Sequence, residues 1–168
     1  MEYNIRRQLT LFVAENDAKI IETVRTAFNP IQRKLIDCHV TLCREDEIAC
    51  LEKVIENLNN SNLKAITIQF GKPIRFNEGK GVLLPANANN KAFDELRKQI
   101  LLGVINNPRQ HQPHITLMHP RNAICTNEIF QKICQFQFPS ELIFKEIALI
   151  EQLNGGVWKT IQTFQLKY

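Results

Sequence analysis

The sequence predicts an α+β fold built by internal duplication, and three observations carry that expectation. Amphipathic helical segments alternate with short apolar strands, the order helix, strand, helix, strand occurs twice in 168 residues, and each copy carries one His-apolar-Thr-apolar tetrad. The repeated order reads as an internal duplication of two α+β lobes. With 44% hydrophobic and 23% charged residues, residues 1–168 read as one domain of two lobes, long enough to bury a core without staples.

The elements follow in order. Leu9–Ala14 is an apolar run that reads as a buried strand, and Glu15–Phe28 carries Ile20, Ile21, Val24 and Phe28 at helical spacing. That helix has to stop before Pro30. Asp37–Cys43 alternates as a strand does, and Glu45–Leu58 follows as a helix opened by acidic residues and closed by Asn59-Asn60-Ser61-Asn62. Leu63–Phe76 and Gly81–Pro85 are strand-like, with Gly71, Pro73 and Gly79 between their runs. In the second half Ala88–Leu102 reads as a helix ended by Gly103, His114–Met118 as a strand, and Thr126–Gln135 as a helix with a Thr cap. Leu142–Glu151 and Thr160–Lys167 are expected to pair as a hairpin across Asn154-Gly155-Gly156.

Composition excludes several classes. No stretch approaches the ~20 apolar residues of a membrane span. The opening MEYNIRRQLTLFVAEND lacks the apolar length and cleavage site of a signal peptide, so a cytoplasmic protein is expected. Five cysteines, with no CxxC pair, do not form a disulfide framework or a zinc ligand set. Cys38 and Cys43 flank a histidine, but the second ligand pair of a tetrahedral site is missing, so no metal and no cofactor are expected. The net charge of +4 suits an anionic substrate and is too weak for a duplex-binding surface.

The tetrads are His39-Val40-Thr41-Leu42 and His114-Ile115-Thr116-Leu117. A given histidine meets this pattern by accident on the order of once in a hundred, so two of four histidines matching is a signal. In a strand, residues i and i+2 share a face, so each His projects beside its Thr while the apolar pair anchors the other face. Two imidazoles can serve as base and acid on opposite sides of one phosphorus, and the hydroxyls of Thr41 and Thr116 can donate to non-bridging oxygens. Arg44 and Arg121 closely follow the tetrads and are placed to reach phosphate from the groove rim. Trp158 follows the Gly-Gly turn and is a candidate to stack a base, whereas Phe12 reads as core. Alternation puts His119 on the face opposite His114, and His111 falls in a polar turn.

The tetrad pair and the wording Pro113-His114-Ile115-Thr116-Leu117 resemble the 2H phosphoesterase superfamily, within it the bacterial 2'-5' RNA ligase and 2',3'-cyclic phosphodiesterase branch. The opening LTLFVAEND, the central GVLLPANANNKAFDELRKQI and the closing Gly-Gly hairpin are similar in a looser way. The resemblance implies a bilobal, pseudo-twofold α+β fold with two mainly antiparallel sheets facing a central groove and helices on the outside. It also implies catalytic roles for His39 and His114, phosphate contacts from Thr41 and Thr116, and metal-independent opening of 2',3'-cyclic phosphates on RNA ends or small nucleotides. Cys43-Arg44-Glu45-Asp46 departs from the apolar, Gly-containing continuation of the ligase branch. Alternatives are 2'-5' RNA phosphodiester cleavage or ligation, hydrolysis of ADP-ribose cyclic phosphate, and a binding module that holds nucleotide or RNA in the same groove. The expected partner is a nucleotide or RNA end carrying a ribose cyclic or 2'-linked phosphate, with no membrane and no obligate protein partner.

Overall fold

A computed structural model of the chain describes residues 3–87 and 89–168. β1 (Ile5–Phe12) begins before the expected Leu9, because the half-exposed Ile5–Gln8 also pairs in the sheet. α1 (Glu15–Phe28) has the expected bounds, buries Ile21, Val24 and Arg25, and holds Glu15 and Asp17 at its positive end. Pro30 does more than end it. With its fixed φ it opens α2 (Pro30–Leu35), a short helix not foreseen in the sequence. β2 (His39–Cys43) carries the first tetrad.

α3 (Leu51–Asn60) starts well after the expected Glu45. Glu45, Asp46 and Glu47 form a turn instead of a first helical turn, because Glu47 is drawn into a buried ion pair. The strand-like stretch Leu63–Phe76 divides at its expected punctuation, Gly71 and Pro73, into β3 (Ile66–Gln69) and β4 (Ile74–Phe76), which join different sheets. β5 (Gly81–Pro85) follows. α4 spans Lys91–Ile100, and the expected first residue of that helix, Ala88, lies outside the described residues. Gly103, at φ +73°, supplies the left-handed residue past its end.

β6 (His114–Met118) carries the second tetrad. α5 (Asn127–Ile133) is capped by Thr126, whose hydroxyl accepts from Ile129 N at 3.2 Å. β7 (Glu141–Phe144) and β8 (Glu146–Leu153) divide the expected Leu142–Glu151 segment, and β9 (Lys159–Gln165) closes the hairpin with β8. Asn154 and Gly155 turn that hairpin at φ 50° and 72°.

The strands form a seven-stranded sheet, ordered β4-β5-β6-β2-β1-β8-β9, and a small sheet of β3 and β7, all paired antiparallel. The α+β class and the antiparallel pairing are as expected. The two tetrad strands lie side by side in the large sheet. Their seam is narrow, with Val40 opposite Ile115 as its register pair. That pair sits at the same place in each tetrad, so a pseudo-twofold axis passes through it. The helices cross the seam, α1 packing against β6 and α4 against β2, which locks the halves together.

Candidate active site

β2 and β6 have the same burial pattern, half-buried at His and Thr and buried at the apolar positions. Val40, Leu42, Ile115 and Leu117 are fully buried in the main core. His39, Thr41, His114 and Thr116 line one cavity of about 300 Å³. Because the strands are antiparallel about Val40–Ile115, His39 and His114 are diagonal neighbours, at about 7–8 Å between Cα atoms. A phosphate bound at ~3 Å from each ring fits between two such side chains.

The rings are held alike. His39 Nδ1 lies 2.8 Å from Asp37 O and His114 Nδ1 lies 2.9 Å from Gln112 O, the carbonyl two residues earlier in each copy. A carbonyl can only accept, so each Nδ1 carries the proton and donates, and each Nε2 is left free for chemistry.

Immediately after each tetrad the register slips. Thr10 faces Thr41 and Leu9 faces Cys43; likewise Leu83 faces Thr116 and Val82 faces Met118. Leu42 and Leu117 are therefore the extra residues of two symmetry-related bulges, and a bulge re-aims the side chains beyond it. Cys43 and Met118 turn inward, and Arg44 and His119 come round to line the cavity. This corrects the alternation reading of His119, which assumed an unbroken period of two. Arg121 and Trp158 line the same cavity, so every site residue expected from sequence is brought to one place.

Other residues there were not expected. Arg6, Gln8 and Gln32 line it, as does Arg25, although only 2% exposed, and so does His111, placed in a polar turn by sequence. Arg25 was visible as a charge on the buried face of α1, beside Ile21 and Val24. Arg6 sits over the Trp158 ring at 5.5 Å, so a base stacking on that face has to displace the guanidinium. Among the described residues no carboxylate lines the cavity. A larger hollow of about 600 Å³, beside Phe12, Ile143 and Lys145, contains no histidine.

Two ion pairs, each with a buried arginine, fix the first tetrad at both ends. Arg25 donates to the Glu22 carboxylate at 2.8 Å and to Ile36 O at 2.9 Å, just ahead of His39. Arg97, from α4, donates to Glu47 Oε1 at 2.6 Å, to Arg109 O at 3.1 Å and to the bulge carbonyl of Leu42. Glu47 in turn accepts from Arg44 N at 2.8 Å.

The family model described as the 2'-5' RNA ligase superfamily matches residues 13–156. The chain belongs to that superfamily. Its members are 2H phosphoesterases, and the chain is accordingly of the phosphoesterase class. No curated protein matches it in sequence. Among solved structures it is similar to E. coli LigT in apo form, at TM-score 0.71 and 15% identity over 100% of both chains. It is also similar to E. coli LigT complexed with 3'-AMP, at 0.68 and 13% over 97% of this chain and 98% of that one. TT0787 of Thermus thermophilus gives 0.60 and 15% over 96% and 98%. At such identities the likeness is one of fold.

In this superfamily member burial sets the electrostatics. It pushes the His39 imidazole down to about 4, with Arg25 and His114 adding to the shift against the Asp37 carbonyl. Burial also brings His111 to about 4, helped by Arg97 and His114. His119 is lowered by burial and by Arg121. Burial would raise the Glu47 carboxyl, but hydrogen bonds from Arg97 and Arg44 N outweigh it and hold it below the usual range. Cys43 is pushed up to about 12 and Cys38 higher still, both by burial, so these are protonated core thiols. Among the described residues no group of three or more His, Cys, Asp or Glu side chains is placed to hold a metal ion, and no helix is long and apolar enough to cross a membrane.

These shifts predict the pH dependence of stability. The unfolded chain protonates His39 and His111 near 6.5, whereas the folded protein does so only near 4. Between those values the unfolded state binds more protons, so stability falls as pH drops through the window and levels off below it. Tm measured from pH 7.5 to 4 should decline below about 6.5. A flat Tm from 6.5 to 4.5 contradicts the buried neutral assignment.

Proposed function

We propose that the protein is a metal-independent phosphodiesterase that opens 2',3'-cyclic phosphates on RNA ends or small nucleotides by two-histidine acid/base catalysis. The observation that carries the reading is the matched pair of Nδ1-tethered imidazoles, each beside a threonine hydroxyl, on two adjacent strands. His39, held neutral, takes the proton of the attacking water through Nε2. His114 donates a proton through Nε2 to the ribose oxygen as its bond to phosphorus breaks, giving a phosphate monoester. Thr41 and Thr116 donate to the non-bridging oxygens, where charge accumulates in the transition state. Arg44 and Arg121 hold the anion at the rim. Substrate groups beyond the phosphate extend toward Trp158.

Cavity residues come from β1 through the loop before β9, which supports residues 1–168 acting as one catalytic unit, and the cytoplasm is the proposed site of action. The 3'-AMP complex of the LigT protein supports a nucleotide as ligand class. The deciding experiment is a turnover panel of 2',3'-cyclic AMP, a 2'-5' dinucleotide and ADP-ribose 1'',2''-cyclic phosphate, with and without excess EDTA. Hydrolysis of the cyclic nucleotide, unchanged by EDTA, is the expected result. Preference for another ester moves the substrate to that alternative, and loss on chelation restored by zinc or manganese overturns the metal-free scheme. AMP binding without turnover of any ester leaves a binding module in its place.

A further inference from the structure

The pseudo-twofold axis that relates the tetrads also relates β1 to β5, since Thr10 faces Thr41 as Leu83 faces Thr116. At equal intervals before these residues, Gln8 corresponds to Gly81 and Arg6 to Gly79. The first half carries long polar side chains where the second has glycines. Gln8 and Arg6 line the cavity and no residue of β5 does, so the cavity runs from the tetrads in one direction, along β1. β1 pairs with β8 without a slip from Ile5 to Thr10, so Arg6, Gln8 and Thr10 share the cavity face. Arg6 precedes Thr10 by four residues, about 13 Å along the strand. A phosphate seated between the tetrads is served by Thr41 and Thr116, and the guanidinium further along is left for another group of the ligand.

Four arginines line the cavity. Arg25 is committed to Glu22 and Ile36 O, and Arg44 and Arg121 each follow a tetrad. Arg6 is held differently. It lies over the Trp158 ring at 5.5 Å, donates from Nε to Glu45 at 2.8 Å, and donates from Nη1 to Gln152 Oε1 at 3.4 Å. Gln152 is itself oriented, because its Nε2 donates to Gly156 O at 2.8 Å. Stacking occupies the face of the guanidinium and leaves its N–H groups in plane, where a phosphate is gripped by two at once. Nη2 has no partner among the described residues. Glu45 is exposed and does not line the cavity, so its pair with Arg6 contributes little and exchanges readily for another anion.

We propose that Arg6 is a specificity residue for a second phosphate, carried on O5' of the nucleotide whose cyclic ester sits between the tetrads. That phosphate takes the Nε–Nη2 edge of Arg6 in place of Glu45. This rests on the phosphodiesterase reading above. Two sources supply such a group: the phosphodiester that continues an RNA chain, and the terminal phosphate of a 5'-phosphorylated mononucleotide. A free 5'-hydroxyl leaves Arg6 with Glu45.

The test compares kcat/KM for 2',3'-cyclic AMP, its 5'-phosphorylated form, and the dinucleotide ApA ending in a 2',3'-cyclic phosphate. Calorimetry makes the same comparison without turnover, using 3'-AMP, adenosine 3',5'-bisphosphate and ApA 3'-phosphate. We expect wild type to prefer a 5'-phosphorylated ligand by about tenfold, chiefly through KM. Preference for the dinucleotide assigns the RNA chain as the source, and preference for the mononucleotide assigns the terminal phosphate. Arg6→Met keeps an apolar stem over Trp158 and removes the charge, and should bring the preference close to one. Glu45→Gln releases the guanidinium and should raise the preference a few-fold. A wild type without preference, an Arg6→Met variant that retains it, or a Glu45→Gln variant that does not raise it overturns the proposal. If wild type hydrolyses no ester, the phosphodiesterase reading falls by itself, and the calorimetric preference still decides this one. Should Arg6→Met fail to fold, Arg6→Gln carries the same readings.

Discussion

Replacing either His39 or His114 with alanine should lower kcat for the cyclic ester by about 10²–10⁴, the usual consequence of losing one general acid or base. Both rings are half-buried on the cavity face, with the core anchored from the opposite side by Val40, Leu42, Ile115 and Leu117. The variants should therefore stay folded, with circular dichroism and Tm close to wild type. Thr41→Ala and Thr116→Ala each remove one neutral donor to the phosphate and should lower kcat less, on the order of 10- to 100-fold. Steady-state kinetics on the preferred ester orders the four variants. A threonine variant worse than both histidine variants would mean that charge stabilisation, not proton transfer, dominates.

Breaking the Arg97–Glu47 pair should have the largest effect on stability. Both side chains are nearly sealed from water, at 2% and 4% exposure, and their separation is 2.6 Å. Removing Glu47 leaves the buried Arg97 charge with only the Leu42 and Arg109 carbonyls, and removing Arg97 leaves Glu47 with Arg44 N and the half-exposed Arg109 at 3.5 Å, a loss that typically weakens a fold by about 3–5 kcal/mol. For a chain of this size that lowers Tm on the order of 10 °C. Glu47→Ala and Arg97→Met should both show it. Activity should fall in parallel, since the pair also holds the Leu42 carbonyl and the Arg44 backbone behind the first tetrad. If either variant keeps wild-type Tm, the pair does not clamp the strand as described. The comparison must be made at one pH above 6.5, where protonation of His39 and His111 in the unfolded chain does not intrude.

Much of this was legible in the sequence because local periodicity dominated. α1 had its bounds set by Ile21 and Val24 on the inside and by Pro30 beyond, and β2 and β6 by alternation around their histidines. The helix expected from Glu45 was misplaced because three acidic residues suit a first helical turn, and only tertiary structure reveals that Glu47 has a buried arginine to meet. In Leu63–Phe76 the punctuation at Gly71 and Pro73 was legible, but sequence does not show which sheet each run joins. The site was legible at its centre for the same reason that it is rigid: i and i+2 share a face of a strand. It was hidden at its edges, where bulges at Leu42 and Leu117 change the period and carry Arg44 and His119 onto the cavity side. Arg25 left a trace as a charge on the buried face of α1, whereas His111 was hidden because long-range packing, not spacing, delivers it.

The central claim is that the two tetrads work as one unit on one phosphorus, and the double variant His39→Ala/His114→Ala tests it most directly. Groups that act together are strongly non-additive, so the double variant should lie within about tenfold of the weaker single variant. If the two penalties multiply instead, giving a combined loss on the order of 10⁴–10⁸ in kcat, the histidines act independently and the shared site is contradicted.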